Sequence, residues 1–342
     1  MEWQHHQPQN GGPPADKTGT VLAAPHRTAP YRTLPHLADL LMNRYPALHR
    51  AVQCLPALWL ACSAHAQEAP SPRPTFGSGK LLLTGGVSSI DGAAGGGLTP
   101  WAVIASYATA GEVGATAFVM RAATQDYGLT TVGAAVGLLD RVELSIARQE
   151  LNASAVVPDT TLKLDIVGLK LRVAGDAVLD ADTLMPQVAI GAQFKRVNPG
   201  LAVGGVLDAL AAGRSGVDLY VSATKLFLAQ GILVNGTLRA TRANQNGLLG
   251  FGSADRSGYS LKPELSVAWL MRRNLAVGAE ARFKPNNLAF AGAAFDEQAW
   301  KDLFVAWAPS KNVSVTLAFV DLGNIVGHAH QTGGYASLQF GF

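Results

Sequence analysis

The chain has 342 residues, of which 48% are hydrophobic and 15% charged, and its net charge is +3. That is enough for a large core or a membrane-embedded domain, and the near balance of charge gives no reason to expect nucleic acid as a partner. From Gln67 onward 22 basic residues stand against 21 acidic ones and no cysteine remains, which excludes disulfides, Cys-ligated metals and thiol catalysis from that part.

Residues 1–41 are rich in Pro, His and Gly and show neither helical nor strand periodicity, so they read as a disordered or untranslated upstream extension. A signal peptide is expected over 42–66. Arg44, His49 and Arg50 precede a short apolar run from Cys54 to Cys62, and Ala64-His65-Ala66 supplies small residues for a signal peptidase, with cleavage before Gln67. The run is too short to cross a bilayer as a helix. A lipoprotein modified at Cys62 is the competing reading, disfavoured by Trp59 where such signals carry Leu. Residues 67–79 then form a periplasmic N-terminal segment. Gly77-Ser78-Gly79-Lys80 is not a phosphate loop, because Pro74 and Leu81 stand where its first Gly and its Ser or Thr are required.

From Lys80 to Phe342 the apolar residues come in short alternating runs separated by Gly, Asn, Asp and Pro, the signature of strands and turns. Val188, Ile190, Ala192 and Phe194 form one face of such a run, as do Leu275 to Phe283 and Val313 to Phe319 at alternate positions. Tight connections at 110–112, 139–141, 271–274 and 309–312 take turns with long ones at 197–215, 240–258 and 285–298; 174–184 is long for its place. Short turns on one rim and long loops on the other predict an all-β, antiparallel transmembrane β-barrel over 80–342. About fourteen strands are expected if Lys80 to Gly86 is the first, and about twelve if the Gly-rich segment Gly92 to Gly97 lies in the lumen as a plug. Trp269 and Trp307 fall near the short-turn rim, where indoles favour the membrane interface.

The last run alternates Ala336, Leu338, Phe340 and Phe342 with Tyr335, Ser337, Gln339 and Gly341, so one face suits lipid and the other a lumen. Its ending resembles the C-terminal signal of bacterial outer-membrane barrels, which makes Phe340 and Phe342 the candidate assembly signal. Longer strings carry a further resemblance: GKLLLTGG from Gly79, GAAGGGLTPWA from Gly92, ATKLFLAQ from Ala223, ANQNGLLGFG from Ala243, KPNNL from Lys284 and FVAWAPSKNVSVTLAFVDLGNIV from Phe304. Together they resemble a proteobacterial family catalogued as domain of unknown function 3034. The resemblance implies an exported barrel in the outer membrane and no established substrate, cofactor or catalytic residue.

Lys170, Arg172, Lys195, Asp218, Tyr220, Arg239, Lys262, Glu264, Glu280, Arg282 and Lys284 occupy the polar phase of their strands and are the candidate lumen lining, since charge on a lipid face is costly. Across the 271–274 turn the expected register sets Glu264 opposite Glu280 and Lys262 opposite Arg282, with salt bridges along the diagonals. The only histidines after Gln67, His328 and His330, share one loop, with Ser337 on the next strand and no orienting acid in view, so no catalytic or metal site is assigned. The function expected is a passive channel or porin for small polar solutes. A closed barrel for structure or surface interaction is the alternative, and an enzyme acting on lipid or peptide ranks behind both. The implied partners are outer-membrane lipid, the barrel-assembly machinery and a small polar solute, with no cofactor; oligomeric state is not readable.

Overall fold

The computed structural model describes residues 75–342 apart from 78, 181 and 182; the expected signal peptide, its cleavage site and the upstream extension lie outside the described residues. The wall consists of β1 (Glu112–Thr124), β2 (Gly128–Leu138), β3 (Val142–Asn152), β4 (Thr161–Ala174), β5 (Gln187–Asn198) and β6 (Ser215–Phe227). It continues with β7 (Ile232–Thr241), β8 (Ser260–Arg272), β9 (Leu275–Arg282), β10 (Trp300–Ser310), β11 (Val313–Asp321) and β12 (Thr332–Gly341), and a helix, α1 (Gly200–Ala209), joins β5 to β6. Each strand pairs antiparallel with the next, and β12 pairs back onto β1 from Gly333↔Thr124 to Gly341↔Thr116, so the sheet closes on itself. Phe342 continues the seam by exchanging backbone hydrogen bonds with Ala115 at 2.8 and 3.0 Å.

The wall therefore has twelve strands, not fourteen, and begins at Glu112 rather than Lys80. The segment before it turns inward for a steric reason. Gly86 has φ +73°, and a Cβ on Gly95 would lie 2.0 Å from the carbonyl oxygen of Thr99, so the chain doubles back tightly where a wall strand would run straight. Val87–Ser88 and Ala94–Gly95 pair as a miniature hairpin, and almost every residue from Leu83 to Ala108 is buried.

Connections at 139–141, 228–231, 273–274 and 311–312 mark one rim, and those at 153–160, 199–214, 242–259, 283–299 and 322–331 mark the other. The connection 175–186 breaks the short-turn pattern and folds over Lys225, whose ammonium donates to the carbonyls of Asp180 (2.6 Å) and Met185 (3.2 Å).

Side-chain alternation gives the wall two chemically different halves. Toward the short-turn rim Leu144, Ile146, Val167, Leu169, Ile190 and Val221 stand exposed on the outside, with Trp269 and Trp307 on β8 and β10. This is a surface that hydrocarbon covers. Toward the loop rim β3 and β4 reverse: Arg148 pairs with Asp165 (2.6 Å) and Lys163 with Glu150 (3.1 Å) on the outside. Leu151, Leu162, Leu164 and Ile166 fill the inside of the same stretch. A single strand such as β4 thus carries Lys170 inward and Lys163 outward without changing its period of two. On these two strands charge on the outer face marks where the wall leaves the apolar layer, and their inner face beyond that line packs into an apolar core.

Candidate functional site

The inward segment is bound to the wall by polar contacts along its whole length. Glu143 on β3 accepts from the backbone N–H of Ala94 (3.1 Å) and of Ala105 (2.8 Å), and pairs with Lys170 on β4 (3.1 Å). The same ammonium donates to the carbonyls of Ala94 (2.8 Å) and Val103 (2.9 Å). Glu280 on β9 accepts from the Leu98 N–H and the Thr99 hydroxyl, both at 2.6 Å, and from Ser266 at 2.6 Å. It lies so close to the segment that a Cβ on Gly96 would meet its Oε1 at 2.0 Å. Gln339 near the end of β12 accepts from the N–H and hydroxyl of Ser88, and Gln187 donates to the carbonyl of Ala102 at 2.7 Å.

At the centre sits Asp91, the single acidic residue between Lys80 and Gly111. Its carboxylate is fully buried and faces three wall cations: Lys195 at 3.3 Å, Arg239 at 3.7 Å, and Arg282, with which it is in direct contact. The wall supplies only two carboxylates to the same cluster. Asp218 holds Lys195 at 3.0 Å, while Glu264 holds Arg239 at 2.5 Å and Arg282 at 3.0 Å. Tyr220 lies under the Arg239 guanidinium, 5.1 Å from ring centroid to Cζ. Three cations against two anions would leave one buried charge uncompensated, and Asp91 of the inserted segment is the missing anion. The plug and the wall form one electrostatic unit.

Of the lining expected from sequence, Lys170, Lys195, Asp218, Tyr220, Arg239, Glu264, Glu280 and Arg282 are buried inside the wall. Three residues belong elsewhere. Arg172 reaches the short-turn rim and clamps it, contacting Asp140 and bridging Asp176 at 2.9 Å, while Lys80 bridges the same Asp140 at 2.7 Å. Lys262 is half-buried opposite Arg239, one step nearer the loop rim than the cluster. Lys284 lies beyond the end of β9, in a loop. The expected register across the hairpin is also corrected: Arg282 stands directly opposite Glu264, and Glu280 opposite Ser266. The turn narrows to Arg273-Asn274, and an irregularity between Leu270 and Arg272 moves the register so that opposite charges meet face to face.

Asp91, Glu143 and Glu297 were not among the residues that alternation selected. Glu143 shares the inward phase with Ser145 and could have been found by the same rule. Asp91 gives only one signal, an isolated acid in a run of glycines. Glu297, in the 283–299 loop, has no periodic signal at all.

Glu297 and Lys284 form a buried pair at the loop rim, 3.6 Å apart, with Lys284 donating to Gln245 Oε1 at 2.6 Å and the Gln245 N–H donating to Glu297 at 2.8 Å. Burial pushes the Glu297 carboxyl up to about 7, against the pull of Lys284 and the Gln245 N–H, and burial draws the Lys284 amine down to about 8, against the pull of Glu297. For Glu297 the native state keeps a proton that the opened loop releases, so loop stability is full below its ordinary pKa of 4.5 and falls as pH rises toward 7. For Lys284 the sign is opposite, and stability returns above pH 8. Hydrogen exchange over 283–299, corrected for intrinsic rate, should therefore show easier opening at pH 7 than at pH 5. The Glu297→Gln variant should lose that dependence; an equal slope in both proteins would contradict the assignment.

His328 is engaged locally: its Nδ1 lies 3.2 Å from the Tyr127 hydroxyl, and the two rings meet edge to face. Ser337 is buried in mid-strand on β12. Among the described residues no group of three or more His, Cys, Asp or Glu is placed to hold a metal ion.

A closed antiparallel barrel with an apolar outer band and an inserted N-terminal plug defines the class, that of transmembrane β-barrels. The chain belongs to the family described as protein of unknown function DUF3034, whose profile matches residues 84–339 and so takes in the plug as well as the wall. No curated protein matches. Among solved structures the chain is similar to the NanC porin, at 8% identity over 67% of this chain and 98% of that one, with a TM-score of 0.43. The KdgM porin aligns at 9% identity over 66% and 99%, with a TM-score of 0.41. Outer membrane phospholipase A from Escherichia coli aligns at 10% identity over 67% and 92%, with a TM-score of 0.38.

Proposed function

We propose that this protein is an outer-membrane channel for small polar solutes, held shut by its own N-terminal segment. The observation that carries the reading is the shared charge cluster at the waist, where Asp91 of the plug completes a balance that the wall leaves one anion short. A lumen meant only to be filled is more stably filled with apolar side chains, because buried ion pairs seldom repay their desolvation. A polar plug interface has another property: when the plug leaves, water can solvate every wall group it releases. That suits an element that must come and go. The charges would then line an open waist whose field selects the solute.

The test is planar-bilayer conductance of the full chain and of a form lacking residues 84–108. The full chain should be silent or open rarely under applied potential, and the shortened form should conduct steadily. A shortened barrel that folds and stays silent at every potential would favour the closed structural alternative. The outer-membrane address and the assembly role of Phe340 and Phe342 belong to the same proposal. Both side chains are exposed on the outer face beside the β12–β1 seam. Phe342→Asp should lower the folded fraction recovered in the outer membrane, read by heat-modifiable gel mobility; full recovery would remove the residue from that role.

A further inference from the structure

Above the plug the loops close over a cavity of about 160 Å³, lined by Leu151, Leu162, Val203, Leu207, Leu288 and Phe295 among others. We propose that this cavity is a binding site for a small, neutral, apolar molecule the size of a single aromatic ring or a short alkyl chain. The inference rests on the loop-rim cavity alone and is independent of whether the plug opens.

Protein interiors are packed as densely as organic crystals and hold few voids larger than water, so an unfilled space of this size in an apolar core is not the ordinary result of packing. Its chemistry decides the occupant. A buried water needs two to four polar partners, whereas an apolar cavity of about 150 Å³ stays dry and takes up benzene. The polar atoms on the lining are already spent. The Tyr127 hydroxyl donates toward the carbonyls of Ile325 (3.0 Å) and Val326 (3.1 Å). Gln245 donates to the Asn324 carbonyl at 3.0 Å and accepts from Lys284 at 2.6 Å. Neither offers a free group to a polar ligand, and no charged side chain lines the space.

Position and access agree with this reading. Val156 and Val206, which line the cavity, are 44% and 45% exposed, so its wall reaches the surface of the loop rim. The cover is α1, which buries only Val203, Gly204 and Leu207 and lines the cavity with Val203, Val206 and Leu207. Gly200, Gly204 and Gly205 make it a poor helix by propensity, so its outward displacement is easy compared with that of any wall strand.

The test uses the full chain in lipid nanodiscs with fluorobenzene as the probe, followed by fluorine NMR. Saturable broadening is expected for the native protein. Val203→Phe and Ala153→Phe, which fill the cavity from two sides, should each weaken binding by about tenfold or more while leaving heat-modifiable mobility unchanged. Equal broadening in all three proteins would mean partition into lipid and would overturn the site. Should either variant fail to fold, crystals of the native protein soaked in iodobenzene give an independent answer. Anomalous scattering inside the cavity supports the site, and scattering only along the outer wall overturns it. Neither result depends on conductance, so failure of this inference is distinguishable from failure of the gating proposal.

Discussion

Replacing Asp91 by alanine is expected to convert a silent barrel into one that conducts. The substitution leaves Lys195, Arg239 and Arg282 facing only Asp218 and Glu264, with one cation uncompensated in a buried waist. Removing one partner of a buried pair costs about 3–5 kcal/mol, because the remaining charge has been taken out of water without a counter-ion. The wall is held by twelve ladders of backbone hydrogen bonds that the change does not touch, so the cost falls on the plug. Its departure admits water to the stranded cation. The expected result is conductance steps in planar bilayers, with faster proteolysis of residues 84–108 and unchanged heat-modifiable mobility of the barrel. High salt should do little to the native closed state, since the cluster is screened by burial rather than by ions. Silence together with native resistance to proteolysis would show that the cluster does not hold the plug.

The second large effect is expected at Glu143. Its two oxygens accept from two backbone N–H groups on opposite arms of the inserted segment, Ala94 and Ala105, and from Lys170. In Glu143→Ala both N–H groups lose their acceptor and the ammonium loses its counter-ion. Each buried donor left unsatisfied costs about 1–3 kcal/mol and the charge costs more, so the loss is comparable to that at Asp91. Glu143→Gln keeps an acceptor oxygen but not the charge and should fall between the two. Hydrogen exchange at Ala94 and Ala105 reads this directly: protection should fall in the order native, Gln, Ala. Loss of protection confined to the wall strand β3 would mean instead that Glu143 serves the barrel and not the plug.

Alternation found the wall well. Period-two patterning from Glu112 onward marks most of the strands, and the spacing of turns marks both rims, because a strand between lipid and lumen must change polarity at every residue. The same rule failed in three places for physical reasons. Lys80 to Gly86 is apolar enough to read as a strand, and only the steric demands at Gly86 and Gly95 reveal a segment that folds back on itself. On β3 and β4 the alternation persists while its meaning reverses beyond the apolar layer, so Lys163 and Lys170 look alike in sequence and face opposite ways. At the hairpin of β8 and β9 a turn of only two residues, together with a one-residue irregularity beside it, sets Arg282 rather than Glu280 opposite Glu264, and a turn sequence does not disclose it.

By itself the sequence determined the class of the fold, the two-residue alternation of most strands, and the absence of thiol chemistry after Gln67, because these depend on local period and on composition. It could not place Asp91 against Lys195, Arg239 and Arg282, since those four residues are distant in the chain and meet only once the barrel has closed around its own N-terminal segment. Nor could it show the apolar cavity at the loop rim, whose lining comes from β3, β4, α1 and several separate loops. Strand phase is fixed by neighbours in sequence. Charge balance and empty space are fixed by neighbours in three dimensions, and those belong to the tertiary structure alone.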